Sequence, residues 1–181
     1  VDSPATEGRS TRLGGSISSD LGCSSDFDNR REINPGSGRE MLRIAQSALD
    51  DLRRHGEETY PNECCGVLLA KVEVEGEGET RQVTSLARCA NTRSDSPQNR
   101  YNINPKELVR IQREARERGE DVVGFYHSHP DHPARWSETD LAEAHWTGCS
   151  YVVTAVEGGL AGRTCSFQLA GTGEEDKCFL D

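Results

Sequence analysis

In the first 40 positions apolar residues stand singly and without period among Ser, Gly and charged residues. Such a segment buries too little apolar surface to offset the entropy of ordering it, so residues 1–40 are expected to form a disordered extension. Periodicity begins at Met41. Leu42, Ala45, Ala48, Leu49 and Leu52 recur at three- and four-residue spacings, predicting an amphipathic helix up to about His55. CCGVLLA (64–70) is a short apolar run that reads as a buried strand. Residues 71–90 read as a hairpin, with KVEVE and RQVTSLARCA on either side of a Gly-Glu turn at 76–79. After a polar loop, Asn104 and Pro105 supply an N-cap and a first-turn proline. Leu108, Ile111 and Ala115 form the stripe of this second helix, and Gly119 ends it. DVVGFYHSH (121–129) is a strand running into a loop, and a third helix begins at Ser137. SYVVTAVE and RTCSFQL are two strands around a Gly-rich turn. This order describes a mixed α/β domain over 41–181, a central sheet covered by three helices.

Composition sharpens the picture. A chain of 181 residues suits one domain, and 33% apolar against 29% charged residues is lean enough to leave part of the chain outside the core. The formal charge of −10 argues against a nucleic-acid partner. Arg110, Arg113, Arg116 and Arg118 alternate with Glu107, Glu114 and Glu117, as on a solvated helix face. No stretch approaches the roughly 18 apolar residues of a membrane span, and no signal peptide opens the chain. A soluble, cytoplasmic protein without a membrane partner is therefore expected. Seven cysteines with no CxxC pair read as small buried hydrophobes in a reducing compartment. Met41 is the only methionine. Two readings of the preceding stretch stand side by side: an over-extended reading frame with Met41 as the natural start, or an ordinary disordered tail.

The informative segment is His127-Ser128-His129-Pro130 followed by Ser137-Glu138-Thr139-Asp140. Residues i and i+2 of a strand share a face, so His127 and His129 present two imidazoles to one point while Ser128 turns away. Asp140, in the first turn of the next helix, can fold back toward them. Two imidazoles and a carboxylate with a fourth position left for water make a catalytic zinc set. Ser137-x-x-Asp140 serves equally as a helix cap. Non-haem iron also takes two histidines and a carboxylate, whereas the H-x-E and P-C-x-x-C pair of the zinc deaminases is absent.

HSHP, eight residues on to Ser137 and three more to Asp140, resembles the His-x-His-x(10)-Asp signature of the JAMM (MPN+) metallopeptidases. PNECCGVLLA, YNINPKEL and GFYHSHPDHPARWSETDLAEAHW extend the resemblance over about 41–169. It is nearest the compact prokaryotic branch acting on ubiquitin-like sulfur carriers. The resemblance implies the MPN (cytidine-deaminase-like) architecture, with a central, mostly antiparallel sheet. It implies one Zn2+ per chain held by His127, His129 and Asp140, with zinc acidifying water to a pKa of roughly 7. Glu63 would be the general base, although spacing alone leaves Glu58 open, and Ser137 would donate to the developing oxyanion. His132 and His145 read as loop and helix-surface residues, and Trp136 and Trp146 as packing residues.

The activity so implied is hydrolysis after the C-terminal Gly-Gly of a ubiquitin-like sulfur-carrier protein of the ThiS/MoaD kind. The scissile peptide would lie along a sheet edge beside strand 121–127. Two alternatives stand: a general peptidase or deubiquitinase-like isopeptidase, and a non-catalytic zinc-containing binding module. Against the first, the chain carries no long insertions around the site. Against the second, neither Glu63 nor Ser137 is needed merely to hold a metal.

Overall fold

A computed structural model describes residues 41–75, 78–171, 173 and 176–180. The expected disorder of 1–40 and the start at Met41 bear on residues outside these, as do positions 76–77 of the expected turn at 76–79, whose positions 78–79 open a strand instead. The chain runs β1 (Met41–Ile44), α1 (Gln46–Thr59), β2 (Cys65–Glu75), β3 (Gly78–Cys89), α2 (Pro105–Glu117), β4 (Asp121–Pro130), α3 (Glu138–Glu143), β5 (Ser150–Glu157), β6 (Leu160–Ala170) and β7 (Cys178–Leu180). The seven strands form one sheet in the order β1-β3-β2-β4-β5-β6-β7. Only β1–β3 and β4–β5 pair in parallel. This is the mixed α/β, mostly antiparallel architecture with three helices that the sequence pattern and the resemblance imply.

Both faces of the sheet are covered. α1 lays Ala48 and Leu52 against Leu68, Ala70, Val83, Tyr126 and Val152. α2 lays Ile111 and Ala115 against Cys65, Val67, Leu69, Phe125, Tyr151 and Leu169 on the other side. Asn104 caps α2 by accepting from the Lys106 amide at 2.9 Å, and Gly119 leaves it at φ 70°.

Three expectations need correction, and one strand was not foreseen. Met41–Ile44 is not the first turn of α1 but an edge strand paired with Thr80–Val83 of β3. Leu42 and Ile44 alternate inward there, so period 2 wins over the helical spacing they also satisfy. CCGVLLA and KVEVE belong to one continuous β2 rather than a strand followed by a hairpin arm. α3 ends at Glu143, which leaves His145 off any helix. The C-terminal β7 completes the sheet, although its three residues are too few to show a period.

β4 is the strand that positions the chemistry. Against β2 its register skips one residue, with Leu68 opposite Gly124 and Leu69 opposite Val122, so Val123 forms a bulge. Val122 therefore packs in the α2-side core and Val123 in the α1-side core. Beyond it, Phe125, His127 and His129 share the α2 side, and Tyr126 and Ser128 the α1 side. Gly124 lets β5 close against this segment. A Cβ there would collide with the Ser150 carbonyl oxygen. Gly124→Ala is accordingly expected to destabilise the protein by about 1–3 kcal/mol, the usual cost of overpacking. A urea midpoint equal to that of the parent would show that β4 and β5 do not approach so closely.

Candidate metal centre

His127 and His129 are almost entirely buried, at 1% and 8% exposure. Their Nε2 atoms lie 3.0 Å apart. Asp140 reaches back from α3 with Oδ1 3.3 Å from His127 Nε2 and Oδ2 3.4 Å from His129 Nε2. One ligand atom from each of the three falls within 4.8 Å of the others.

Each side chain is oriented by its surroundings. His129 Nδ1 donates to the Pro133 carbonyl at 3.1 Å, which leaves Nε2 with its lone pair facing the cluster. The Tyr101 ring stacks on His127, with centroids 4.7 Å apart. The loop between them is pinned by Asp131, which sits at φ 55°. Its amide donates to the Val156 carbonyl, and its carboxylate accepts from Tyr60 Oη and the Gly158 amide. Ala134 then enters the core beside Val153, Cys165 and Phe167. Asp140 and Ser137 form a capping box: Ser137 Oγ accepts from the Asp140 amide at 3.1 Å, and Asp140 Oδ2 accepts from the Ser137 amide at 2.6 Å. Ser137 Oγ also donates to Oδ2 at 2.7 Å. The capping and ligand readings of Ser137-x-x-Asp140 thus coexist in one carboxylate.

Glu63 lies just before β2, 2% exposed, with Oε2 buried and lacking a hydrogen-bond partner. Its backbone is held by Pro97 and Asn91, and the neighbouring Cys64 amide donates to Ser128 Oγ at 2.8 Å. Ser128 turns away from the imidazoles as expected, and its hydroxyl fastens the segment that carries Glu63 to the strand that carries both histidines. Glu58, the open alternative, is on α1 and paired with Arg88, away from the cluster.

The electrostatics follow from burial. Desolvation pushes Glu63 up to about 8, against a lowering influence from His129, with Asp140 and Glu143 adding to the rise. Burial alone would raise Asp140, but its contacts with the His127 and His129 imidazoles outweigh it and hold the carboxyl well below the usual range. Burial lowers His127 despite Asp140, whereas for His129 the Asp140 contact overcomes desolvation and raises it. Two imidazole nitrogens and a carboxylate therefore crowd one buried point beside an unpartnered carboxyl. Protons alone satisfy such a donor set poorly. A divalent cation fits it, and the nitrogen-plus-oxygen chemistry suits zinc.

A cleft of about 390 Å³ adjoins the centre, lined by Arg93, Tyr101, Asn102, Glu143, His145 and Trp146 among others. His145 is exposed there and His132 is an exposed loop residue. Trp146 packs edge-on to Phe125 and Trp136 against Phe179. Tyr101 and Ser128 are the site neighbours that residue chemistry alone missed. The only sequence signals for them were YNINPKEL and the position between two histidines.

Comparison with known proteins agrees with this geometry. Residues 45–169 match the family described as prokaryotic homologs of the JAB domain. A desampylase of Haloferax volcanii is 34% identical over 121 residues, covering 65% of this chain and 82% of that protein. A probable TtuB-protein conjugate cleaving protease of Thermus thermophilus is 28% identical over 118 residues, covering 65% and 72% respectively. A solution structure of a protein from Salinibacter ruber superposes with a TM-score of 0.57 at 38% identity, covering 77% of this chain and 88% of that one. The JAMM resemblance is thereby borne out, and the chain belongs to the family of prokaryotic homologs of the JAB domain.

Proposed function

We propose that this chain is a zinc-dependent hydrolase that cuts the peptide or isopeptide bond after the C-terminal Gly-Gly of a ubiquitin-like sulfur-carrier protein. The observation that carries this reading is the convergence of His127, His129 and Asp140 beside the unpartnered, buried carboxyl of Glu63. Kinship with a desampylase and a conjugate cleaving protease supports an isopeptidase of the JAMM type acting on small ubiquitin-like proteins. The sulfur-carrier class is the finer step, taken from the compact form of the domain. Five of the six described cysteines are buried, which suits a reducing cytoplasm.

His127, His129 and Asp140 would hold the zinc, with the Pro133 carbonyl and the capping box fixing the ring and the carboxylate. When bound, zinc supplies Lewis-acid polarisation of the scissile carbonyl and acidifies water. Glu63 accepts the proton of the attacking water and hands it to the leaving amine. A nearby cation favours its carboxylate, bringing its pKa down from about 8 to where it acts as a base at neutral pH. Ser137 has one hydroxyl proton, which it donates to Asp140 Oδ2. Stabilising an oxyanion requires Ser137 to redirect that proton to the substrate.

The route of the substrate differs from the sequence expectation. β4 is interior, paired with β2 up to His127 and with β5 from Gly124 onward, so its residues 124–127 offer no free edge. The cleft beside Tyr101 and Trp146 is the approach instead. Two glycines suit it, because they bring no side chain to the walls and adopt any backbone angle.

Four outcomes are expected. His127→Ala, His129→Ala and Asp140→Ala each lose a zinc content of about one per chain, since two remaining protein ligands are too few. Stoichiometric zinc in the double histidine variant would rule out this centre. Glu63→Gln keeps zinc and lowers kcat by at least about 10²-fold, as loss of the base demands. In chelator-stripped protein the folded state holds a proton on Glu63 that the unfolded chain releases between pH 4.5 and about 8. Stability then falls as pH rises through that window, and Glu63→Gln flattens the slope in pH-dependent urea denaturation. For the substrate, carrier fusions ending in Gly-Gly are cut and the same fusions ending in Ala-Ala are not. Equal cleavage of both would favour a general peptidase.

A further inference from the structure

α3 carries Asp140 yet is poorly anchored by packing. None of its six residues is buried, and of its apolar residues Leu141 alone packs, half-buried, on the core. Its N-terminal end depends on the Ser137 capping box, in which the stabilising acid is Asp140 itself. The opposite end has other restraints. Arg93, from the loop after β3, pairs with Glu143. Lys177 donates through Nζ to the Ala142 carbonyl at 3.1 Å and the Ala144 carbonyl at 3.2 Å. These are last-turn carbonyls, without partners inside the helix, at the negative end of its dipole.

Two residues on, Phe179 lies in β7, held to β6 by the pairing of Leu169 with Phe179. Its ring packs on Trp136, immediately before Ser137, with centroids 5.6 Å apart. It also packs on Tyr151 and Phe167 of the sheet. Residues i and i+2 of an extended chain share a face. The C-terminal segment thus grips both ends of α3 at once, Phe179 at the entry and Lys177 at the exit. This segment lies beyond residues 45–169, where the family match ends.

We propose that Lys177 and Phe179 form a clamp that positions α3, and that Lys177 is a positioning residue for Asp140. The proposal rests on the reading of Asp140 as a metal ligand. Fastening both ends of the helix to the rigid sheet keeps the carboxylate in reach of the imidazoles. Without the clamp, the helix would rest on the capping box of that same carboxylate, the Arg93–Glu143 pair and the half-buried Leu141.

The test compares Lys177→Met and Lys177→Arg with the parent, full-length in each case. Lys177→Met removes the donor but keeps the stem, so the sheet core remains folded and Tm moves by less than about 4 °C. Zinc affinity, measured by chelator competition, is expected to weaken about 10-fold or more, the usual cost of losing a group that orients a ligand. kcat falls in parallel while KM stays within about twofold of the parent, because Lys177 does not line the cleft. Lys177→Arg restores most of both. Hydrogen exchange of amides 141–144 in metal-stripped protein is expected to speed up in Lys177→Met, a readout independent of zinc. Unchanged exchange, or parental zinc affinity and kcat in Lys177→Met, would overturn the clamp. If the parent binds no zinc, the metal reading fails by itself, and the exchange experiment still decides whether Lys177 holds the helix.

Discussion

The rest of this structure depends on the interior position of β4. Seven residues of this strand, Gly124 to Pro130, pair in parallel with β5, while Asp121 to His127 pair antiparallel with β2. Both sides of the backbone ladder are thereby paired from Gly124 to His127, and β5 alone carries the strand on through His129. Polar rings can be buried there because the backbone around them needs no water. The bulge at Val123 and the close approach at Gly124 set the phase of the strand. A shift of one residue would carry both imidazoles to the α1 side and Tyr126 and Ser128 to the metal side.

From that rigid strand the site is assembled with unequal firmness. Glu63 is secured by backbone pairing with Pro97 and by Ser128, whose hydroxyl receives the amide beside it. Asp140 is placed by a short helix that borrows its order from its neighbours. The two histidines and Glu63 thus sit on firmly held segments, and Asp140 on a looser one. The cost of the arrangement is electrostatic. A carboxyl with a pKa of about 8 beside another carboxylate is unfavourable unless a positive charge joins them.

The two faces of the sheet divide the remaining work. On the α1 side, His55 Nδ1 meets Tyr126 Oη at 2.9 Å, and Arg88 ties Glu58 and Asp51 of the helix to β3. That face is structural and closed. On the α2 side, the loop of Asn91 to Asn102 folds on itself through Asn91 and Thr92, bringing Tyr101 onto His127 and leaving the cleft open. The α2 side therefore holds both the His127–His129–Asp140 cluster and the cleft beside it.

Much of this was legible in the chain itself. The i, i+2 histidines, the Ser137-x-x-Asp140 step and the Asn104-Pro105 helix start are local patterns whose geometry follows from the strand and helix periods. They told correctly which side chains converge and where two of the helices begin. Met41–Ile44 satisfied both a helical and an alternating pattern, and only pairing with β3 chose between them. Glu63 and Glu58 were equivalent by spacing; they separate because the α1 and α2 faces of the sheet are different places. The absence of a free edge at β4, the stacking of Tyr101 and the grip of Lys177 and Phe179 on α3 all join residues far apart in sequence. No local period encodes them, because each arises from how the strands order themselves laterally, and that ordering is settled by burial on both faces together.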